Sequence, residues 1–96
     1  MIASRRHRFI FLKTRKTAGT SVEIALSRHC GPDDVITPVS DADEELRRGA
    51  GGRGAQNCTA PPLQRKVFNH VSAKNTRLAL GEEWWDGSYR FAVERN

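Results

Sequence analysis

The stretch FLKTRKTAGTSVEIAL, residues 11–26, constrains the fold more than any other part of the chain. Phe9, Ile10, Phe11 and Leu12 make a short apolar, aromatic run of strand type. A basic turn rich in Gly and Thr follows over residues 13–19. A helix is predicted to begin near Thr20, where Thr20 and Glu23 have the spacing of a capping box. Val22, Ala25, Leu26 and His29 recur at helical spacing and define its predicted apolar face. Gly31 and Pro32 then stop the helix. A strand, a tight turn and a helix in direct succession point to an α/β arrangement.

The rest of the chain continues the alternation. Residues 35–39 read as a short strand and residues 41–48 as a helix running from acidic to basic. GAGGRGAQNCTAPP, residues 49–62, has the composition of a flexible loop. Residues 66–70 read as another strand, and a helix runs from Ser72 or Ala73 to Leu80, stopped by Gly81. EEWWDG, residues 82–87, reads as a turn carrying aromatic mass, and residues 89–94 read as the last strand. Strands that alternate with helices predict a parallel sheet, which is normally covered on both faces. The 96 residues stop directly after a strand. The expectation is the N-terminal part of a larger domain, with a sheet face and an edge left uncovered.

Composition bounds the function classes. Hydrophobic residues are 38% and charged residues 28%, values of a globular chain that leans polar. The net charge of +5 suits an anionic partner such as a nucleotide or an acidic polymer, or else a solvated basic surface. Cys30 and Cys58 are too few for a disulfide framework and lack the paired spacing of a zinc site. The apolar run of residues 9–12 is too short for a signal segment or a membrane span, so a soluble, cytoplasmic chain is expected. His7 with Arg5, Arg6 and Arg8 reads as a solvated basic arm, and Lys13 as surface charge. The acidic groups at residues 33–34, 41–45 and 82–83 read as surface. Trp84 and Trp85 are expected to place at least one ring in the core, with a sugar-binding surface as the alternative. A small nucleic-acid-binding module is a further reading. The aromatic residues are not interleaved with the basic ones as a stacking platform requires, so no nucleic acid is expected.

The turn after the first strand has the chemistry of an anion cradle. N–H groups at a helix start point outward, and the helix dipole adds partial positive charge. Gly19 allows close approach of backbone to ligand. Thr17, Thr20 and Ser21 supply hydroxyls, and Lys16 a mobile cation. The loop is not a Walker A sequence, because Lys16 precedes Gly19 and there is no first glycine. A capped strand–helix turn with incidental basic residues is the plainer alternative.

Three stretches in order, KTAGTS (residues 16–21), VFNHVSA (residues 67–73) and FAVERN (residues 91–96), resemble motifs of the sulfotransferases that use 3′-phosphoadenosine 5′-phosphosulfate (PAPS), in the branch that modifies carbohydrates. The resemblance implies a P-loop-like, three-layer α/β fold with a parallel sheet. It implies that Arg15, Lys16, Thr17, Ala18, Gly19, Thr20 and Ser21 hold the 5′-phosphosulfate end. Arg95 would grip the 3′-phosphate. Lys16 and His70 would be the catalytic residues, Lys16 at the leaving oxygen and His70 as the base for a hydroxyl or amine acceptor, which in that branch is a carbohydrate. No metal is required. On its own pattern His70 reads as a structural histidine sooner than as a base. The family's proline after Asn96 and its later segments are missing, so a truncated, non-catalytic chain that keeps only the phosphate loop is the alternative. The acceptor and the oligomeric state are not legible.

Overall fold

The computed structural model describes residues 1–13, 19–59, 63, 67 and 71–92. Among these residues, β1 (Ile2–Ser4), β2 (Phe9–Phe11), β3 (Val35–Ile36) and β4 (Tyr89–Phe91) form one sheet in the order β3-β1-β2-β4. The helices are α1 (Gly19–Ser27), α2 (Asp41–Gly49), α3 (Ala73–Leu80) and α4 (Glu82–Asp86). The expected strand over residues 66–70 falls mostly outside the described residues.

β1 is the element that the apolar pattern does not announce. It has one large apolar residue, Ile2, yet all three of its residues are buried. Residues 5–8 connect it to β2, and so short a connection can join only antiparallel neighbours. β1 therefore runs antiparallel to β2, with Ala3 opposite Ile10, and antiparallel to β3, with Ala3 opposite Val35. β2 and β4 are parallel, with Ile10 in register with Arg90. Strands β2, β3 and β4 thus share one direction, and β1 alone opposes them. The expected parallel sheet is corrected to a mixed one, and the hairpin is the reason.

The strand pleat sorts apolar residues onto two faces. Ile2, Phe11 and Ile36 share one face with Cys30, and Val22 and Leu26 of α1 pack there. Ala3, Ile10 and Val35 share the other with Val71 and Ala79, and Leu80, Trp84 and Trp85 pack against them. Each fully buried side chain of this size contributes about 1.5–3 kcal/mol. Both faces are packed over β1, β2 and β3, whereas the edge strand β4 keeps Tyr89 and Arg90 exposed. The Cα radius of gyration of 12.2 Å is that of a compact chain of this length.

The inward side of α1 differs from the apolar periodicity. Ala25 and His29 are exposed, whereas Glu23 and Ser27 are buried. The capping box is not made, because the helix already begins at Gly19 and Glu23 turns into the protein. α2 and α3 start where Ser40 and Ser72 accept hydrogen bonds from Asp43 N and Asn75 N. Gly81 ends α3 at φ 93°, a backbone conformation that favours glycine. EEWWD forms the short helix α4 rather than a turn.

The Gly-rich stretch is tied down over its described part. Ile36 and Gln56 exchange two backbone hydrogen bonds, of 3.1 and 2.9 Å. The Gln56 side chain donates to the carbonyls of Gly31 and Asp34, both at 2.7 Å. Gly52 sits where a Cβ would overlap Ser27 Oγ and come within 2.8 Å of Arg47 Cγ and 3.0 Å of the Arg47 carbonyl oxygen. Gly52→Ala should therefore cost about 1–3 kcal/mol of stability, the usual cost of overpacking. Urea unfolding checks this; a change within 0.5 kcal/mol, about that of a neutral surface substitution, would show that the contact yields.

Candidate anion site and its buried charge network

β2 ends at Phe11, and Leu12 N donates to Phe91 O at 2.9 Å, so β2 and β4 run out side by side at the same end of the sheet. From β2 the chain leads through α1, on one face, to β3 on one side of β2. It returns through α3 and α4, on the other face, to β4 on the opposite side. β2 therefore stands at a switch of direction, and the crevice outside the carboxyl ends of such strands is where open α/β sheets bind ligands. Gly19 is the first residue of α1, Thr20 is half-buried and Ser21 is exposed. By helix geometry the first-turn N–H groups have no acceptor within the helix. Arg15, Lys16, Thr17, Ala18, His70 and Arg95 lie outside the described residues.

Beneath this end of the sheet is a network that the sequence pattern hides. Glu23 is fully buried. Its Oε1 accepts from the Met1 α-amino group at 3.3 Å, and its Oε2 stands 3.5 Å from Lys13 Nζ. Arg47, from α2, is also fully buried and lies 3.9 Å from Glu23 Oε1 while pairing with Glu44. Thr37 Oγ1 accepts from the Met1 amine at 2.9 Å. Among the described residues Arg47 Nε and Nη1 have no hydrogen-bond partner. Burial pulls the Met1 α-amino group down to about 6 from 8.0, against the attraction of Glu23. Lys13 is thus a buried ion-pair member rather than surface charge. It follows β2 closely and its partner lies in α1, so their ion pair ties the end of the strand to the helix.

The missed residues had one readable signal. Lys13 directly follows an apolar strand. Glu23, Ser27 and Cys30 form an i, i+4, i+7 row beside Val22 and Leu26, so a charged residue stood on the inward side. Arg47 carried no such signal. In α2 the apolar Leu46 is 63% exposed while Arg47 is 0% exposed, because the acids Glu23 and Glu44 await a cation inside.

Asp34 is a second buried acid, and this corrects its reading as surface charge. Its carboxylate accepts from Gly31 N, Ser4 Oγ and Arg5 N, each at 2.8 Å, and from Arg6 N at 3.3 Å. Burial alone would raise its pKa; these hydrogen bonds outweigh it and hold the carboxyl below its ordinary value.

The cysteines do not form a site together. Cys30 packs on the α1 face of the sheet and Cys58 against the opposite face. Burial, with the nearby Asp34 charge, pushes the Cys30 thiol up to about 12, which leaves it a poor nucleophile. Among the described residues no group of three or more His, Cys, Asp or Glu side chains could hold a metal ion. None of their helices is long and apolar enough to cross a membrane.

Fold and strand order together define a small mixed α/β domain. Comparison of the chain with models of known families, with curated proteins and with solved structures finds no match.

Proposed function

We propose that this chain holds the phosphosulfate end of PAPS and belongs to a sulfotransferase, which moves a sulfuryl group to a hydroxyl or amine acceptor. The observation that carries the reading is the switch of direction at β2. There KTAGTS (residues 16–21) leads into α1 and FAVERN (residues 91–96) begins in the neighbouring parallel strand. Adjacent parallel strands suit two phosphate-binding stretches that serve one nucleotide. The start of α1 suits the 5′-phosphate, through its backbone donors and the hydroxyls of Thr20 and Ser21.

PAPS supplies the sulfuryl group. Breakage of its bond to the bridging phosphate oxygen leaves adenosine 3′,5′-bisphosphate, while a new bond forms to the acceptor oxygen or nitrogen. Lys16 stabilises the charge that collects on the bridging oxygen. His70 takes the acceptor's proton. Arg95 holds the 3′-phosphate by charge-assisted hydrogen bonds.

Calorimetric titration with adenosine 3′,5′-bisphosphate tests the reading. The chain should bind it, and Lys16→Ala should weaken binding about tenfold or more, as loss of a charged hydrogen bond implies. Absence of binding, or an affinity unchanged in the variant, would exclude the assignment. Binding without sulfuryl transfer from PAPS to any acceptor would leave a nucleotide holder that does no chemistry.

A further inference from the structure

At the opposite end of the sheet, the β1–β2 hairpin presents Arg5, Arg6, His7 and Arg8, all exposed. Their loop is held in shape. Asp34 fixes the N–H groups of Arg5 and Arg6, and His7 N donates to Ser4 Oγ at 3.1 Å. Arg8 takes φ 56°, and its carbonyl accepts from Tyr89 N at 2.8 Å. The Arg5 guanidinium lies 4.0 Å from the centre of the Trp84 ring. The basic stretch is therefore a shaped surface and not a loose arm.

Its charges are not held in ion pairs, although Glu82 and Glu83 share a cleft with Arg5 and Arg8. Arg77 and Arg90 pair with Glu82 and Asp86. Among the described residues Arg5, Arg6 and Arg8 form no ion pair. Asp33 shares a cleft of 310 Å³ with Arg5 and Arg6 and still pairs with neither. Asp34, the nearest buried acid, is engaged by backbone and hydroxyl donors. His29, in the turn after α1, extends the surface, its ring in edge contact with His7 at 6.4 Å.

Beside these cations stands an exposed aromatic ring. Tyr89 is 73% exposed, follows Arg8 across the β2–β4 ladder and is braced by Phe91, which it stacks against at 5.6 Å. The sequence separates Tyr89 from the arginines by more than eighty positions, and the β2–β4 ladder brings its backbone against Arg8.

We infer that this hairpin end binds a single-stranded nucleic acid, with phosphates on Arg5, Arg6 and Arg8 and one base stacked on Tyr89. A guanidinium set suits phosphates, and an accessible ring favours an unpaired base over a duplex or a sugar polymer. The inference does not depend on the PAPS reading, whose crevice lies at the other end of the sheet.

Fluorescence anisotropy with a labelled mixed-sequence 12-mer tests it. With about three phosphates neutralised, log affinity should fall with log salt at a slope of about −2, or roughly 20-fold between 50 and 200 mM salt. Arg6→Ala should flatten the slope by about 0.7. Tyr89→Ala should weaken binding roughly 5- to 150-fold, while Tyr89→Phe stays within about twofold. Adenosine 3′,5′-bisphosphate should not compete. No binding at 50 mM salt would overturn the inference. So would equal affinity of Tyr89→Ala, tighter binding of a duplex, displacement by the bisphosphate, or a preference for heparin that ignores Tyr89.

Discussion

Replacing Glu23 with alanine should lower the unfolding free energy by about 3–5 kcal/mol, the cost of leaving buried partner charges uncompensated. Glu23 is the shared acid of the network: the Met1 amine, Lys13 and Arg47 all approach its carboxylate. Without it, Arg47 stays fully buried, and among the described residues only the half-buried Glu44 offsets it. A truncation that merely shortened an apolar contact would not leave that charge behind. The double variant Glu23→Met with Arg47→Met should recover part of the loss, since apolar replacement of a buried ion pair is often close to neutral. Urea unfolding of the two single variants and the pair gives the coupling energy. A Glu23→Ala loss under 1 kcal/mol, or strict additivity of the pair, would show that the network is solvated and not a fixed core element.

The same network marks the limit of what pattern reading can reach. Elements with strong local signals are legible: the apolar run of β2, the helix after it, and the Ser72 cap and Gly81 stop of α3. Each depends on residues a few positions apart. β1 is not legible, because Ile2, Ala3 and Ser4 become a strand only when the hairpin sets them between β2 and β3. The covered faces are likewise non-local, since Ala79, Leu80 and the two tryptophans reach the sheet from the far end of the chain. Inverted burial in α2, with Leu46 out and Arg47 in, follows from a carboxylate twenty-four positions earlier. At the candidate anion site, residue types and order are readable from KTAGTS. The switch of direction at β2 is not, because it needs the strand order.

Asp34→Ala should cost about 3 kcal/mol at neutral pH, for a reason that also bears on the basic hairpin. One carboxylate satisfies four donors: Gly31 N after α1, Ser4 Oγ in β1, and the N–H groups of Arg5 and Arg6 in the loop. Hydrogen bonds to a charged group contribute about 1.5–3 kcal/mol each and are not additive when one group receives them all. The carboxyl is held below its ordinary value of 3.8, so its contribution is fully present above that value. As pH falls through the lowered folded-state pKa, the folded protein takes up the proton and the contribution is lost. The variant should therefore lack this acid-side loss while being less stable at neutral pH. Amide exchange at Arg5, Arg6 and Gly31 should accelerate together, because all three lose the same acceptor. Faster exchange at Gly31 alone would mean that the loop keeps its shape by other bonds. If instead the hairpin amides open and oligonucleotide affinity falls with them, the acid buried beneath the arginines is what keeps their charges arrayed for a phosphate chain.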